Sequence, residues 1–405
     1  MPIAEKSHTF PGKYKTVVRI VPPWFIEWGF FASLFYENMA PILGIQIDRL
    51  GILFFGGLAC ICFLSFRERA SDLFRILVFP IGFGVSYLMI QMMYHGLSIQ
   101  DTYVKAFIPW IFNLIIIQAL SFRTGFLHRF VIFALFMGSG VLFFSELRDW
   151  GGEGITRLGL DRDMGPLANS NALGAWFGFC TIYFFVLGVV IKRLKAKIVS
   201  WGIASGCLFV LALTVSRGAL LATLIAIILG SREFLKRGFL PLFLLFVMVW
   251  ILYGSGLFDQ AISYYMIRGT EETGRFLVWP RALEGFLNAP LTGVGASNVG
   301  IYLPEKGKIT TPHNGFLLVG MASGIFPLIF YAAYWSQAIV TAMSQMVRKF
   351  RDGSFYLPLV AFAFLYSFSG NLSFMMTWVI VTVAATMASS IPKRVGISKI
   401  IGGKR

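Results

Sequence analysis

Two residue types in this sequence pose a chemical question: a histidine and a set of arginines. His313 stands in TTPHNGFLLVGMASGIFPL (310–328), between a proline and a long apolar run, and the whole chain has only 4 histidines. Imidazole changes charge near neutral pH, so at such a place it either moves protons or hydrogen-bonds at a helix start. Pro312 in a first helical turn, with Asn314 beside it, fits the second reading equally well. Arg217 stands in GIASGCLFVLALTVSRGALLATLIAIILG, where two apolar runs meet with no polar loop between them. A guanidinium at that depth is costly unless it faces a polar cavity, which makes it a functional candidate. Arg148, Arg157, Arg162, Arg268, Arg275 and Arg281 complete the group. The guanidinium is always charged and its planar fork takes two phosphate oxygens at once, so arginines gathered on one membrane face read as a diphosphate clamp. Taken singly, Arg148, Arg268 and Arg281 better suit snorkelling to headgroups or pairing with Asp161, Asp163, Glu271 or Glu272.

The elements that carry these residues follow from composition. With 57% hydrophobic and 13% charged residues in 405, the chain is too apolar for a soluble core. It reads as an all-α polytopic membrane protein. A membrane helix needs roughly 20 apolar residues. Such blocks fall at 24–43, 50–66, 75–94, 104–120, 129–145, 168–191, 198–214, 218–231, 239–256, 313–346, 355–370 and 371–390, about 12 in all. The run 218–231 is short and 313–346 long for one span.

Positively charged loops stay in the cytoplasm. With both termini inside, 24 of the 35 Lys and Arg lie on the cytoplasmic side, in clusters such as KYKTVVR, KRLKAK and VRKFR. The net charge of +16 is then topology and headgroup attraction, with no call for nucleic acid. His313 and the seven arginines fall on the opposite, outer face. The polar, basic first 20 residues suggest that the first span itself serves as the insertion signal. Cys60, Cys62, Cys180 and Cys207 all lie inside expected spans and imply no disulfide.

The organisation expected is a single integral membrane unit over 1–405. Nine spans occupy 20–256, a large periplasmic loop 257–312, three further spans 313–390 and a basic cytoplasmic tail 391–405. Long ordered loops tend to carry function, and the long outer ones are 146–167 and 257–312. In the second, the spacing of Phe276, Trp279, Leu283 and Phe286 predicts short amphipathic helices on the membrane surface, beside His313.

From GRFLVWPRALEGFLNAPLTGVGASN to TPHNGFLLVGMASG the chain resembles the O-antigen ligases and O-antigen polymerases. The elements that carry the resemblance are Arg275 with Phe276 and Trp279, then Pro290, Leu291, Gly293 and Gly295, then His313 with Asn314. SRGALL around Arg217 and NSNALGAWF after the first long loop look like further family features. The similarity extends over about residues 150–345. His313, Asn314 and Gly324 fit the ligase pattern, whereas Pro327 departs from it at the last position.

The resemblance implies a GT-C-like architecture and transfer of a glycan from undecaprenyl diphosphate to an acceptor hydroxyl on the periplasmic face of the bacterial inner membrane. The acceptor would be lipid A-core for a ligase, or a second carrier-linked repeat unit for a polymerase; the ligase reading is the one adopted here. His313 would be the general base, and Arg217 and Arg275 would stabilise the departing diphosphate, joined in binding it by Arg157, Arg162 and Arg281. Asn314 would support His313. Direct attack by the acceptor implies inversion at the sugar carbon. No cofactor is expected. The closest acidic pair, Asp161 and Asp163, has Arg162 between them and favours salt bridging over a metal site. The glycines of PLTGVGASN could approach phosphate, but a chain turn is the preferred reading. A lipid-linked oligosaccharide transporter is the rival class. Transporter sites lie near the midplane between repeated halves, whereas these arginines gather at the outer mouth and no repeat is visible. A scaffold protein would leave Arg217 unexplained.

Overall fold

This computed structural model describes residues 24–34, 70–95, 111, 113–118, 120–121, 125–149, 156–159, 169–235, 275–304, 308–347, 353–369 and 375–389. Its helices are α1 (Trp24–Leu34), α2 (Ala70–His95), α3 (Phe126–Leu142), α4 (Ser170–Val190), α5 (Leu194–Leu213) and α6 (Arg217–Leu235). They continue with α7 (Arg275–Asn288), α8 (Gly315–Ser323), α9 (Ile325–Val347), α10 (Gly353–Ser367) and α11 (Met375–Ser389); residues 113–118 are helical as well. Among the described residues, four helices are long and apolar enough to cross a membrane: Ile76–Tyr94, Ser170–Val190, Leu194–Leu213 and Ile325–Ser344. Shorter apolar helices cover Phe126–Leu142, Arg217–Ser231, Tyr356–Ser367 and Thr377–Met387. The expected spans 50–66 and 239–256 lie outside the described residues, and 24–43 and 104–120 are described only in part.

Helix α4 is the centre of the bundle. Its sequence, SNALGAWFGFCTIYFFVLGVV, is apolar all round, and every residue from Leu173 to Val186 is buried. Asn169 caps it by accepting from the Asn171 backbone N–H at 2.8 Å. The indole of Trp176 ties it to α3 by donating to the Ala134 carbonyl at 2.9 Å. Helices α5, α6 and α10 pack on its other sides. A stripe of small residues four apart, Gly218, Ala222, Ala226 and Gly230, runs along α6. Small side chains let helix backbones approach closely where lipid gives no hydrophobic drive between them. A Cβ on Gly218 would run into Ser369, and one on Gly230 would meet Pro358 at 3.2 Å, so α6 and α10 are antiparallel neighbours. This brings the start of α6 and the end of α10 to the same end of the bundle. Cys180 and Cys207 are buried free thiols.

The structure alters the expected architecture in three places. The run 313–346 is not one span but two helices, α8 and α9, broken at Gly324, whose φ of 78° ends the first helix. The segment 218–231 belongs to a longer helix of 19 residues. The two long outer segments hold short antiparallel hairpins: β1 (Glu146–Asp149) with β2 (Thr156–Gly159), and β3 (Ile301–Leu303) with β4 (Lys308–Thr310).

Far from that end, Glu27 of α1 is fully buried and paired with Arg129 of α3: Nε donates to Oε2 at 2.7 Å and Nη2 to Oε1 at 3.0 Å. This bidentate bridge explains a carboxylate inside an apolar helix; Glu37, the other carboxylate of the expected span 24–43, lies outside the described residues. Breaking such a pair costs ~3–5 kcal/mol when a buried charge is stranded. Arg129→Ala, which strands Glu27, is expected to lower the unfolding temperature in detergent more than Glu27→Gln. The reason is that Arg129 is 30% exposed and can turn to water.

Candidate active site

Arg217 is the first residue of α6. The chain reaches it from α5 through Thr214, Val215 and Ser216, all buried, and Val215 has a φ of 50°. A β-branched residue in the left-handed region is an outlier that costs ~1–3 kcal/mol and persists only where its surroundings enforce it. Among the described residues the only other non-glycine residue with positive φ is His313, at 47°. The two strained positions therefore fall in the two motifs singled out for chemistry.

Arg275 is the first residue of α7. This helix buries Val278 and Ala282, one turn apart, against Ile301, Leu303 and Met321. The expected amphipathic helix is present, but with Leu283 on its exposed side. Arg275 reaches back to the bundle. One of its terminal nitrogens, Nη1, is 3.9 Å from where a Cβ on Gly218 would stand, a point that also meets Ser369, three residues after Tyr366 and its hydroxyl. That hydroxyl, at the end of α10, donates to the Asn171 carbonyl at 3.2 Å. Arg217 and Arg275 thus flank the same small area, bounded by Tyr366, Ser369 and the start of α4.

The segment that carries His313 reaches the same end of α10. It is held by Trp279 of α7, whose indole donates to the Pro312 carbonyl at 3.0 Å. The imidazole is partly exposed, with Nε2 3.4 Å from the Thr310 hydroxyl. The helix starts later than expected: Asn314, not Pro312, is at its mouth. The Asn314 side chain accepts from the backbone N–H groups of Phe316 at 3.0 Å and Leu317 at 3.2 Å. Pro312 and His313 precede the helix, and the left-handed His313 backbone makes the corner. A Cβ on Gly315 would lie 2.7 Å from the Tyr331 hydroxyl and 3.5 Å from the Ser367 carbonyl. The histidine segment therefore abuts the same end of α10 that meets Gly218 and Arg275.

The Pro-Leu-x-Gly-x-Gly stretch has a structural task. Gly293 has a φ of 67°, and a Cβ there would sit 2.5 Å from both the Met321 carbonyl oxygen and the Ser323 nitrogen. A Cβ on Gly324 would in turn strike the Leu291 carbonyl. Two backbone bonds lock the pair, Val294 N–H to Met321 O at 2.7 Å and Ile325 N–H to Pro290 O at 2.8 Å. Only glycine allows two chains to cross this closely with that backbone. Helix α2 fastens the crossing through Gln91, which donates to the Ala322 carbonyl at 3.1 Å and accepts from Ala296 N–H at 2.8 Å. Tyr94 adds a hydrogen bond to the Gly293 carbonyl at 2.5 Å. The turn reading of these glycines is thus the one the geometry carries. Pro327 falls in the first turn of α9, where a missing N–H costs nothing.

The remaining arginines separate. Arg157 on β2 is 6% exposed and faces inward. It donates from Nε to the Thr214 carbonyl at 2.9 Å, and from Nη2 to Asn171 Oδ1 at 2.9 Å and the Val215 carbonyl at 3.4 Å. Arg281 donates to the Tyr302 carbonyl at 3.3 Å, bracing α7 on the β3–β4 hairpin. Arg162 and Arg268 lie outside the described residues, as do Asp161, Asp163, Glu271 and Glu272; of Arg148 only the backbone, in β1, is described. Among the described residues no three of His, Cys, Asp and Glu stand together as a metal site would require.

The arrangement brings the residues that carry a partly exposed imidazole and two helix-starting guanidiniums to one end of α10. Cations at that place suit an anionic group, and an imidazole suits a hydroxyl proton. Residues that composition did not single out complete it: Tyr366 and Ser369, and the Gln91–Tyr94 pair. Tyr366 and Ser369 sit in AFAFLYSFSG, where hydroxyls in an apolar run are the only signal.

Residues 202–332 match the family model described as O-antigen ligase, from within α5 into the start of α9. The match includes Arg217, Arg275 and His313 and leaves out Arg157. No curated protein matches the chain.

Proposed function

We propose a specific reaction from a segment that matches the O-antigen ligase family model, in a chain of apolar helices. The protein is a twelve-span glycosyltransferase of the inner membrane that moves a glycan from undecaprenyl diphosphate to a hydroxyl of lipid A-core on the periplasmic face. His313 takes the proton of the acceptor hydroxyl as its oxygen bonds to the anomeric sugar carbon. The bond from that carbon to the diphosphate oxygen breaks, and the charge gained by the leaving diphosphate is met by Arg217 and Arg275. One displacement inverts the carbon, and no metal takes part.

What carries this reading is the convergence of three chain segments. The start of α8, two residues after His313, lies beside the Ser367 carbonyl, the start of α6 meets Ser369, and Arg275 at the start of α7 comes close to Gly218, although the three segments come from distant parts of the sequence. A base and two permanent cations at one end of a bundle match a weak nucleophile and a diphosphate leaving group. Arg281 and Arg157, with their guanidiniums on protein carbonyls, suit support of this site better than donor contact. A polymerase would use the same site with a second carrier-linked repeat unit as acceptor. Purified protein reconstituted with carrier-linked glycan, offered lipid A-core or no other acceptor, decides between them. Glycan joined to lipid A-core is the expected product; lengthened carrier-linked chains in both reactions would make the protein a polymerase.

A further inference from the structure

We infer that Arg157 is a positioning residue for Arg217: its buried guanidinium holds Val215 in the left-handed conformation that turns α5 into α6. The inference rests on the reading of Arg217 as a diphosphate ligand, but its structural half does not.

The two peptide planes on either side of Val215 end in the Thr214 and Val215 carbonyls. Together they fix the φ and ψ of Val215. Arg157 donates to both, and its fork reaches them from one side while Asn171 Oδ1 holds the same Nη2. Valine does not adopt a φ of 50° unaided, and the local bond from Val215 N–H to Ala212 O at 3.0 Å orients only the plane before Val215, leaving the plane after it to the guanidinium. The guanidinium supplies what the residue type opposes. With it in place, Ser216 accepts the first α6 bond from Leu220 N–H at 2.9 Å, and Arg217 starts the helix beside the Arg275 guanidinium. Through Asn171, whose carbonyl takes the Tyr366 hydroxyl, the same arginine ties the β1–β2 hairpin to the end of α10. At 6% exposure, and already serving three protein acceptors, Arg157 suits this task better than donor contact.

The test is a double-mutant cycle of Arg157→Gln and Val215→Gly, read by thermal unfolding in detergent, by glycan transfer and by donor binding. Glycine enters the left-handed region at no cost, so it removes the need for the clamp. Arg157→Gln is expected to lower the unfolding temperature and slow transfer by about 10²-fold, the scale of a 1 Å misplacement of a catalytic group. Adding Val215→Gly is expected to return most of the lost unfolding temperature and at least about tenfold of the rate. Should Arg157→Gln fail to fold alone, a folded double variant supports the clamp and an unfolded one overturns it. Additive losses in unfolding temperature would overturn it, whatever the protein transfers. So would lost donor affinity that Val215→Gly leaves unrepaired, which would make Arg157 a donor ligand. Absence of transfer by the unmodified protein would sink the proposed reaction, and the unfolding cycle would still decide the clamp.

Discussion

His313→Ala is expected to lose roughly 10²–10⁴-fold in turnover while the protein still folds and still binds the lipid diphosphate. The substitution removes the imidazole but leaves the Trp279 bond to the Pro312 carbonyl and the Asn314 cap, because neither uses the histidine side chain. Alanine at a left-handed position brings its own strain, so His313→Asn, which tolerates that conformation, separates loss of the base from loss of the corner. Both variants should be equally slow if the proton transfer is what is missing. In the unmodified enzyme, turnover should fall at acid pH, because a protonated imidazole accepts nothing. Loss of donor binding in both variants, with normal chemistry on what remains bound, would instead make His313 a phosphate ligand. Full activity would reduce it to a polar residue at a helix corner.

Arg217→Lys and Arg275→Lys are each expected to lose most activity, on the order of 10²–10³-fold, although both keep the charge. An ammonium offers no planar fork and cannot make two parallel bonds to a phosphate. Each arginine starts a helix, so the backbone is placed by residues other than the guanidinium itself, and lysine is expected to be tolerated structurally. Unfolding temperatures near that of the unmodified protein, with turnover collapsed, would be the signature of the clamp. Near-normal turnover by both variants would leave only a long-range electrostatic role.

The helical membrane character was legible from composition, and most expected spans coincide with helices, because a run of apolar residues has few places to go but a bilayer. The break at Gly324 was not. Within an apolar run a glycine can be tolerated in a helix or end it, and the choice is made here by the Pro290–Gly293 turn, some thirty residues earlier in the chain. Local sequence carries no trace of such a crossing. The three expected site residues come together at the end of α10, and each could be singled out because a charge or an imidazole among apolar residues is conspicuous. Arg157 was expected at the donor and is instead buried on backbone carbonyls, since a guanidinium binds a carbonyl pair and a phosphate with the same geometry. Tyr366 and Ser369 were silent, because a hydroxyl in a membrane helix is common and acquires meaning only from its neighbours.

The crossing of Gly293 and Gly324 makes two parts of the chain inseparable for engineering. The surface helix that starts with Arg275 and the corner that holds His313 are joined twice, by Trp279 at one point and by the interlocked backbones at the other. A chimera that borrows the segment 257–312 from a relative would have to take residues 275–325 as one cassette, with both glycines. A boundary drawn at the natural-looking edge of the loop, around residue 312, would pair a foreign turn with a native break. The register between the arginine and the histidine would then be lost, even with every catalytic side chain present.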